Sequence, residues 1–168
     1  QFTLCDCRGG GKITHAAGVL GRGVRCGDSS GSATFAMFGG EISGNRVGTS
    51  DAGQDGAGVE VHNAIFNMYG GRIIHNEVAV PSSYDGGGVC AHTGGSFTMY
   101  GGEISGNTSA GDGGGVSVVG VPFTMKGGTI TGNTVTSGNG GGVYIGSSST
   151  LMVSGGVKIT DNKSGENQ

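Results

Sequence analysis

Carboxylates are the residues of this chain whose type could carry out chemistry, and their spacing argues against it. They include Glu41, Glu60, Glu77 and Glu103, with Asp6, Asp28, Asp51, Asp55, Asp85, Asp112 and Asp161. Hydrolysis or elimination on a polysaccharide needs two such groups, or acids with an Arg or Lys base, converging on one point. No Asp-Asp pair occurs, and no stretch combines two acids with an Arg or Lys at offsets that recur. The expectation is a chain without a catalytic centre.

Three other sets of side chains recur at regular spacing. Asp55, Asp85 and Asp112 each stand directly before a Gly-x-Gly-Val run, and Asn139 continues the position. Stacked carboxylates could bind Ca²⁺, the one cofactor the sequence suggests, but Asp-Gly and Asn-Gly are also common turn formers, and that reading is preferred. Phe38, Tyr69 and Tyr100 each follow a repeated Phe-x-Met by one residue and point away from it, forming the best candidate binding surface. Aromatic faces could hold sugar rings or a partner protein; the competing role is a ladder that only stabilises a sheet. His62 and His92 fall near the ends of successive Val-rich runs and would be neighbours, yet two ligands are too few for zinc. They are read as solvated surface histidines, and no metal site is assigned.

The element that must position these groups is a repeat. The pattern Phe-x-Met-x-Gly-Gly-x-Ile-x-Gly-Asn, a variable polar gap, then Gly-x-Gly-Val-x-Val, starts at Phe35, Phe66, Phe97 and Phe123 and returns altered at Leu151. Residues 1–34 hold an irregular first copy, with Phe2-Thr-Leu4, Gly10-Gly11-Lys12-Ile13 and Gly21-Arg-Gly-Val24-Arg-Cys26 in the corresponding places. In the last copy Ile159 and Asn162 come one place late, which implies a one-residue insertion. Glycine supplies 41 of 168 residues and proline only 2, a composition that in a linker would mean disorder. Here the glycines recur at fixed offsets beside Phe, Met, Ile and Val, as in an ordered repeat. With a net charge of −3 the chain offers few anchors for nucleic acid, and no apolar run reaches the ~20 residues that cross a bilayer.

No segment has helical periodicity; the local signal is alternation. Phe-x-Met, Val-x-Val and the Ile run each place apolar side chains on one face, and each run is short and ends at glycine or asparagine. Each run's best partner is its own copy one repeat later. The expected fold is all-β: one domain over residues 1–168, a single-stranded right-handed parallel β-helix of five to six coils with three short strands each. Stacking puts like residues in columns, with Phe, Met, Ile and Val inside, each contributing about 1.5–3 kcal/mol by burial. Asn45, Asn76, Asn107, Asn133 and Asn162 form a structural ladder in which each amide serves the coils on either side. The gaps 46–55, 77–85, 108–112 and 134–139 change length while the strands hold, as surface loops do.

These motifs resemble the pectate-lyase-like parallel β-helix superfamily. Phe97-Thr-Met-Tyr-Gly-Gly-Glu-Ile-Ser-Gly-Asn107 followed by Gly113-Gly-Gly-Val116 is similar to repeat units of bacterial cell-surface adhesins. The Gly-Gly-x-Ile element also resembles chlamydial polymorphic membrane proteins, without their Phe-x-x-Asn motif. The resemblance implies an extracellular, cell-surface module, non-enzymatic, structural or adhesive, whose partner is a host or microbial surface glycan or protein. The alternative is a polysaccharide-active enzyme or glycan-binding module on the same scaffold, since this architecture carries both. A further alternative is a filament-forming subunit that self-stacks through open β-helix ends. The chain opens on Gln1, and part of a longer surface protein is expected. Alternation turns Cys26 inward and Cys90 outward. A disulfide joining Cys26 to Cys5 or Cys7 is expected, as suits an oxidising exterior, against idle thiols as the other reading.

Overall fold

The computed structural model describes residues 2–4, 11–14, 19–30, 32–48, 55–81 and 85–165. These residues form parallel sheets stacked as a β-solenoid of about five turns, with no helix among them. The first sheet joins Phe2–Leu4, Thr34–Met37, Ile65–Met68, Ser96–Met99, Pro122–Met125 and Thr150–Val153. The second carries the Ile strands, from Lys12–Ile13 to Lys158–Thr160, and another the Val-x-Val strands, from Val24–Cys26 to Val143–Ile145.

Like pairs with like throughout. Phe35 lies opposite Phe66, Phe66 opposite Phe97 and Phe97 opposite Phe123. Their rings stack at centroid separations of 4.8, 4.8 and 4.7 Å, which is the strand spacing itself. The columns of Met37, Met68, Met99 and Met125, of Ile42, Ile73, Ile104 and Ile130, and of Val59, Val89 and Val116 are fully buried beside them. The degenerate first copy keeps the register, with Phe2 opposite Phe35, Ile13 opposite Ile42 and Val24 opposite Val59. The one-residue insertion is present too: Phe123 pairs with Leu151, whereas Ile130 pairs with Ile159.

The Gly-Gly corner answers two different demands. A Cβ on Gly70 would sit 2.7 Å from the carbonyl oxygen of Phe38 in the coil below. Gly71 has φ +87°, a conformation that side chains with a Cβ rarely adopt.

Among the described residues, every coil after the first has a fourth strand in addition to the three expected. Arg46–Val47, Glu77–Val78, Thr108–Ser109, Thr134–Val135 and Lys163–Ser164 form a five-stranded sheet directly after the Asn ladder. Two residues are too few to show alternation, so these strands read as the start of the polar gap. Val47, Val78, Ser109 and Val135 nevertheless form a buried column.

The Asn ladder closes the hydrogen-bond account at that bend. Asn107 Nδ2 donates to Ile73 O at 2.9 Å and to Asn133 Oδ1 at 2.9 Å. Its Oδ1 accepts from Asn76 N at 2.9 Å and Asn76 Nδ2 at 3.0 Å. The same pattern links Asn45 to Asn76 and Asn133 to Asn162. Buried main-chain groups that the turn would orphan are thereby satisfied.

Candidate functional site

The aromatic column stands where alternation places it, on the outside. Phe38, Tyr69 and Tyr100 are 52%, 43% and 40% exposed. Neighbouring rings stack at 4.7 Å with interplanar angles of 4° and 9°. Lys126 then places its Nζ 4.9 Å from the Tyr100 centroid, a cation–π contact. Both faces of Tyr69 and of Tyr100 are thus spent on neighbouring rings and on Lys126. What the column offers a partner is a ridge of ring edges with the hydroxyls of Tyr69 and Tyr100. A shallow groove lined by Gly71, Arg72, Gly102, Glu103 and Thr129 begins two residues beyond these tyrosines.

The acidic column is aligned, and its carboxylates bond the main chain of the next coil. Asp85 Oδ2 accepts the Asp112 N–H at 3.0 Å, and Asp112 Oδ1 accepts the Asn139 N–H at 2.7 Å. Asp55 and Asp85 are buried, and the main chain runs in step, with Gly56 N donating to Asp85 O and Gly86 N to Asp112 O. Cys26 is buried in the core with a free thiol, its Sγ 4.0 Å from Ile65 O. Cys5 and Cys7, its suggested disulfide partners, lie outside the described residues.

A second constellation, which the sequence reading did not assemble, sits on the outer face of the Val-x-Val sheet. Strand alternation turns Val59 and Val61 inward, so Glu60 and His62 share the opposite face. In the next coil Cys90 lies opposite Glu60 and His92 opposite His62, while Arg25 precedes Glu60 in the coil before. Outward here does not mean wet: Glu60 is 3% exposed, Cys90 0% and His92 3%. His62 is half-buried, its ring meeting His92 edge-on at 4.8 Å. The expectation of two solvated histidines is corrected for His92, which is buried; His62, its neighbour, keeps part of its surface in water.

Glu60 is the hub. Its Oε2 lies 2.5 Å from Arg22 Nη1 and 3.5 Å from Arg25 Nε. The Arg22 contact is Coulombic, being off the hydrogen-bond axis. Its Oε1 faces His92 Nε2 at 3.3 Å, and His92 Nδ1 meets Thr93 Oγ1 at 3.1 Å. Burial alone would raise the Glu60 pKa, but the bond to His92 and the charges of Arg22 and Arg25 outweigh it, and the net shift is downward. Burial lowers the pKa of Arg22 against the opposing pull of Glu60. Burial, reinforced by Asp55, Glu60 and Asp85, pushes the Cys90 thiol well above its ordinary value. The cluster therefore holds a fixed carboxylate and an inert thiol. A carboxylate whose pKa is lowered is a poor proton donor near neutrality.

The signal that could have found it was present: Glu60-x-His62 is an i, i+2 pair on an outward face, and His92 occupies the His62 position of the next repeat. Arg22 was not recoverable, because it precedes its strand and reaches Glu60 across the coil boundary. No family model matches the sequence, and comparison with curated proteins and with solved structures yields no match.

Proposed function

We propose that this chain is a non-enzymatic structural and adhesive module of an extracellular bacterial surface protein, with the solenoid acting as a rigid rod and its outer ridge as the contact surface. The observation that carries this reading is the Phe38–Tyr69–Tyr100 ridge. Phe35, Phe66, Phe97 and Phe123 are withdrawn into the core, whereas these three rings are held in a row in water. Their stacking pre-organises them, so a partner would bind at little ordering cost. Since both faces of each tyrosine are occupied, the partner would meet edges and hydroxyls there. That favours a protein surface or a hydroxyl-rich glycan edge over a sugar ring stacked on an aromatic face. The similarity of the repeat to cell-surface adhesin repeats points the same way.

The rival, in its hydrolase form, would need a carboxylic acid kept protonated near neutrality. Glu60, the carboxylate set among catalytic residue types, is shifted in the opposite direction. The test is a screen of the purified chain against surface glycans and glycoproteins, beside the Tyr69→Ala/Tyr100→Ala variant. Binding that is weakened at least about tenfold in the folded variant supports the ridge. Equal binding by both proteins removes it, and turnover of any polysaccharide favours the enzyme.

A further inference from the structure

Glu60, His62 and His92 present three donor atoms that all lie within 4.8 Å of one another on one face of two adjacent strands. We propose that they form a binding site for one divalent transition-metal ion of the zinc class, which clips two successive coils together. This is independent of the adhesive reading. One carboxylate and two imidazoles are a donor set zinc accepts, with a fourth position left for water or a partner's ligand.

The spacing between two of the donors fits a shared ion as well as the hydrogen bond that joins them in the metal-free chain. Zinc bonds of about 2.0–2.1 Å in a tetrahedron place two ligand atoms about 3.3–3.4 Å apart. His92 Nε2 and Glu60 Oε1 are 3.3 Å apart, the separation of two ligands sharing a metal. The groups behind the donors suit the same role. Thr93 Oγ1 takes the His92 Nδ1 side, which leaves Nε2 turned to the site, as the second hydrogen bond of a metal-ligating histidine does. Arg22 and Arg25 hold Oε2 of Glu60, which leaves Oε1 on the imidazole side. The main-chain ladder fixes His62 opposite His92, so only the His62 side chain has to close in. The two guanidiniums oppose a cation electrostatically, and an affinity in the micromolar range is expected instead of that of a closed structural zinc site.

The experiment uses the full chain stripped of metal. It is titrated with Zn²⁺ by calorimetry and with Co²⁺ by visible absorption. Expected are one equivalent of Zn²⁺ bound, a raised Tm, and a tetrahedral Co²⁺ spectrum without the near-ultraviolet thiolate band that cysteine ligation would add. His62→Ala should weaken binding at least about tenfold, whereas His75→Ala, outside the cluster, should leave it unchanged. On the unmodified chain, the imidazole nitrogen resonances of His62 and His92 should shift with Zn²⁺ while that of His75 does not, which tests the site even if a variant fails to fold. Absence of binding, a thiolate band, undiminished binding by His62→Ala, or unmoved His62 and His92 resonances would each overturn the proposal.

Discussion

Two outward-facing columns climb the same solenoid, one on the Phe-x-Met wall and one on the Val-x-Val wall, and each does what the other's composition would suggest. The aromatic residues Phe38, Tyr69 and Tyr100 stand in water, while Glu60, Cys90 and His92 are under cover. Alternation assigns a side chain to the inside or the outside of the wall, and both columns obey it. Whether the outside is wet depends on what else packs there. The aromatic column directly precedes a tight Gly-Gly corner with no chain to spare. The charged column faces the ends of the variable gaps, where Asp55 and Asp85 are themselves buried. A charge under such cover has to be matched by another, and Arg22 and Arg25 match Glu60. Rings in water need only each other.

This contrast can be broken most directly at its hub. Glu60→Gln keeps the shape but leaves the Arg22 charge without its counter-ion, and should cost about 3–5 kcal/mol in urea unfolding. Tyr69→Ala with Tyr100→Ala removes stacked contacts worth about 0.5–1.5 kcal/mol each, so the loss should be smaller. A double variant as damaging as Glu60→Gln would mean that the ridge, and not the ion cluster, braces the coils.

Acid sharpens the same comparison. The native Glu60 pKa lies below the unfolded value of about 4.3, so its contribution is fully present above that pH and is lost as pH falls through the native value. The advantage of the wild-type protein over Glu60→Gln should therefore be constant near neutrality and shrink below about pH 4. An advantage unchanged down to pH 3 or below, about a unit under that value, would show that the carboxylate charge contributes nothing.

Thiol chemistry gives a milder test of the cover. Cys90 is wholly buried with its pKa raised, and iodoacetamide at mildly alkaline pH should label it only in denaturant, as read by peptide mass mapping. Rapid native labelling would mean that this flank opens. The smallest effect is expected where both partners are in water. Arg46 and Glu77 pair at 3.0 Å, with side chains 49% and 43% exposed, and Arg46→Ala should cost less than about 1 kcal/mol.

Much of the fold was legible because a solenoid stacks each residue on its own copy. That rule alone placed Phe66 on Phe97, aligned the five ladder asparagines, located the late Ile159 and matched Cys26 to Val61. It failed where the repeat is too short to carry a pattern, as in the two-residue strands at Arg46–Val47 and Glu77–Val78. It also failed where a contact joins parts of the chain that do not repeat. The position of Arg22 holds Ala57, Gly87, Gly114 and Gly141 in later coils, so nothing in the periodicity pairs an arginine there with Glu60. The aromatic ridge was half legible: its side of the wall followed from alternation, but the loss of its ring faces followed only from stacking geometry.

The amino-acid sequence by itself determined the coil, its inner columns and its hydrogen-bonded ladder, since periodic placement of Phe, Met, Ile, Val and Asn leaves one economical way to bury them. The tertiary structure alone decided which outer positions lose water and which donors meet there. Those outcomes depend on side chains such as Arg22 that occur once among the repeats, and a residue that occurs once carries no period from which its contacts could be read.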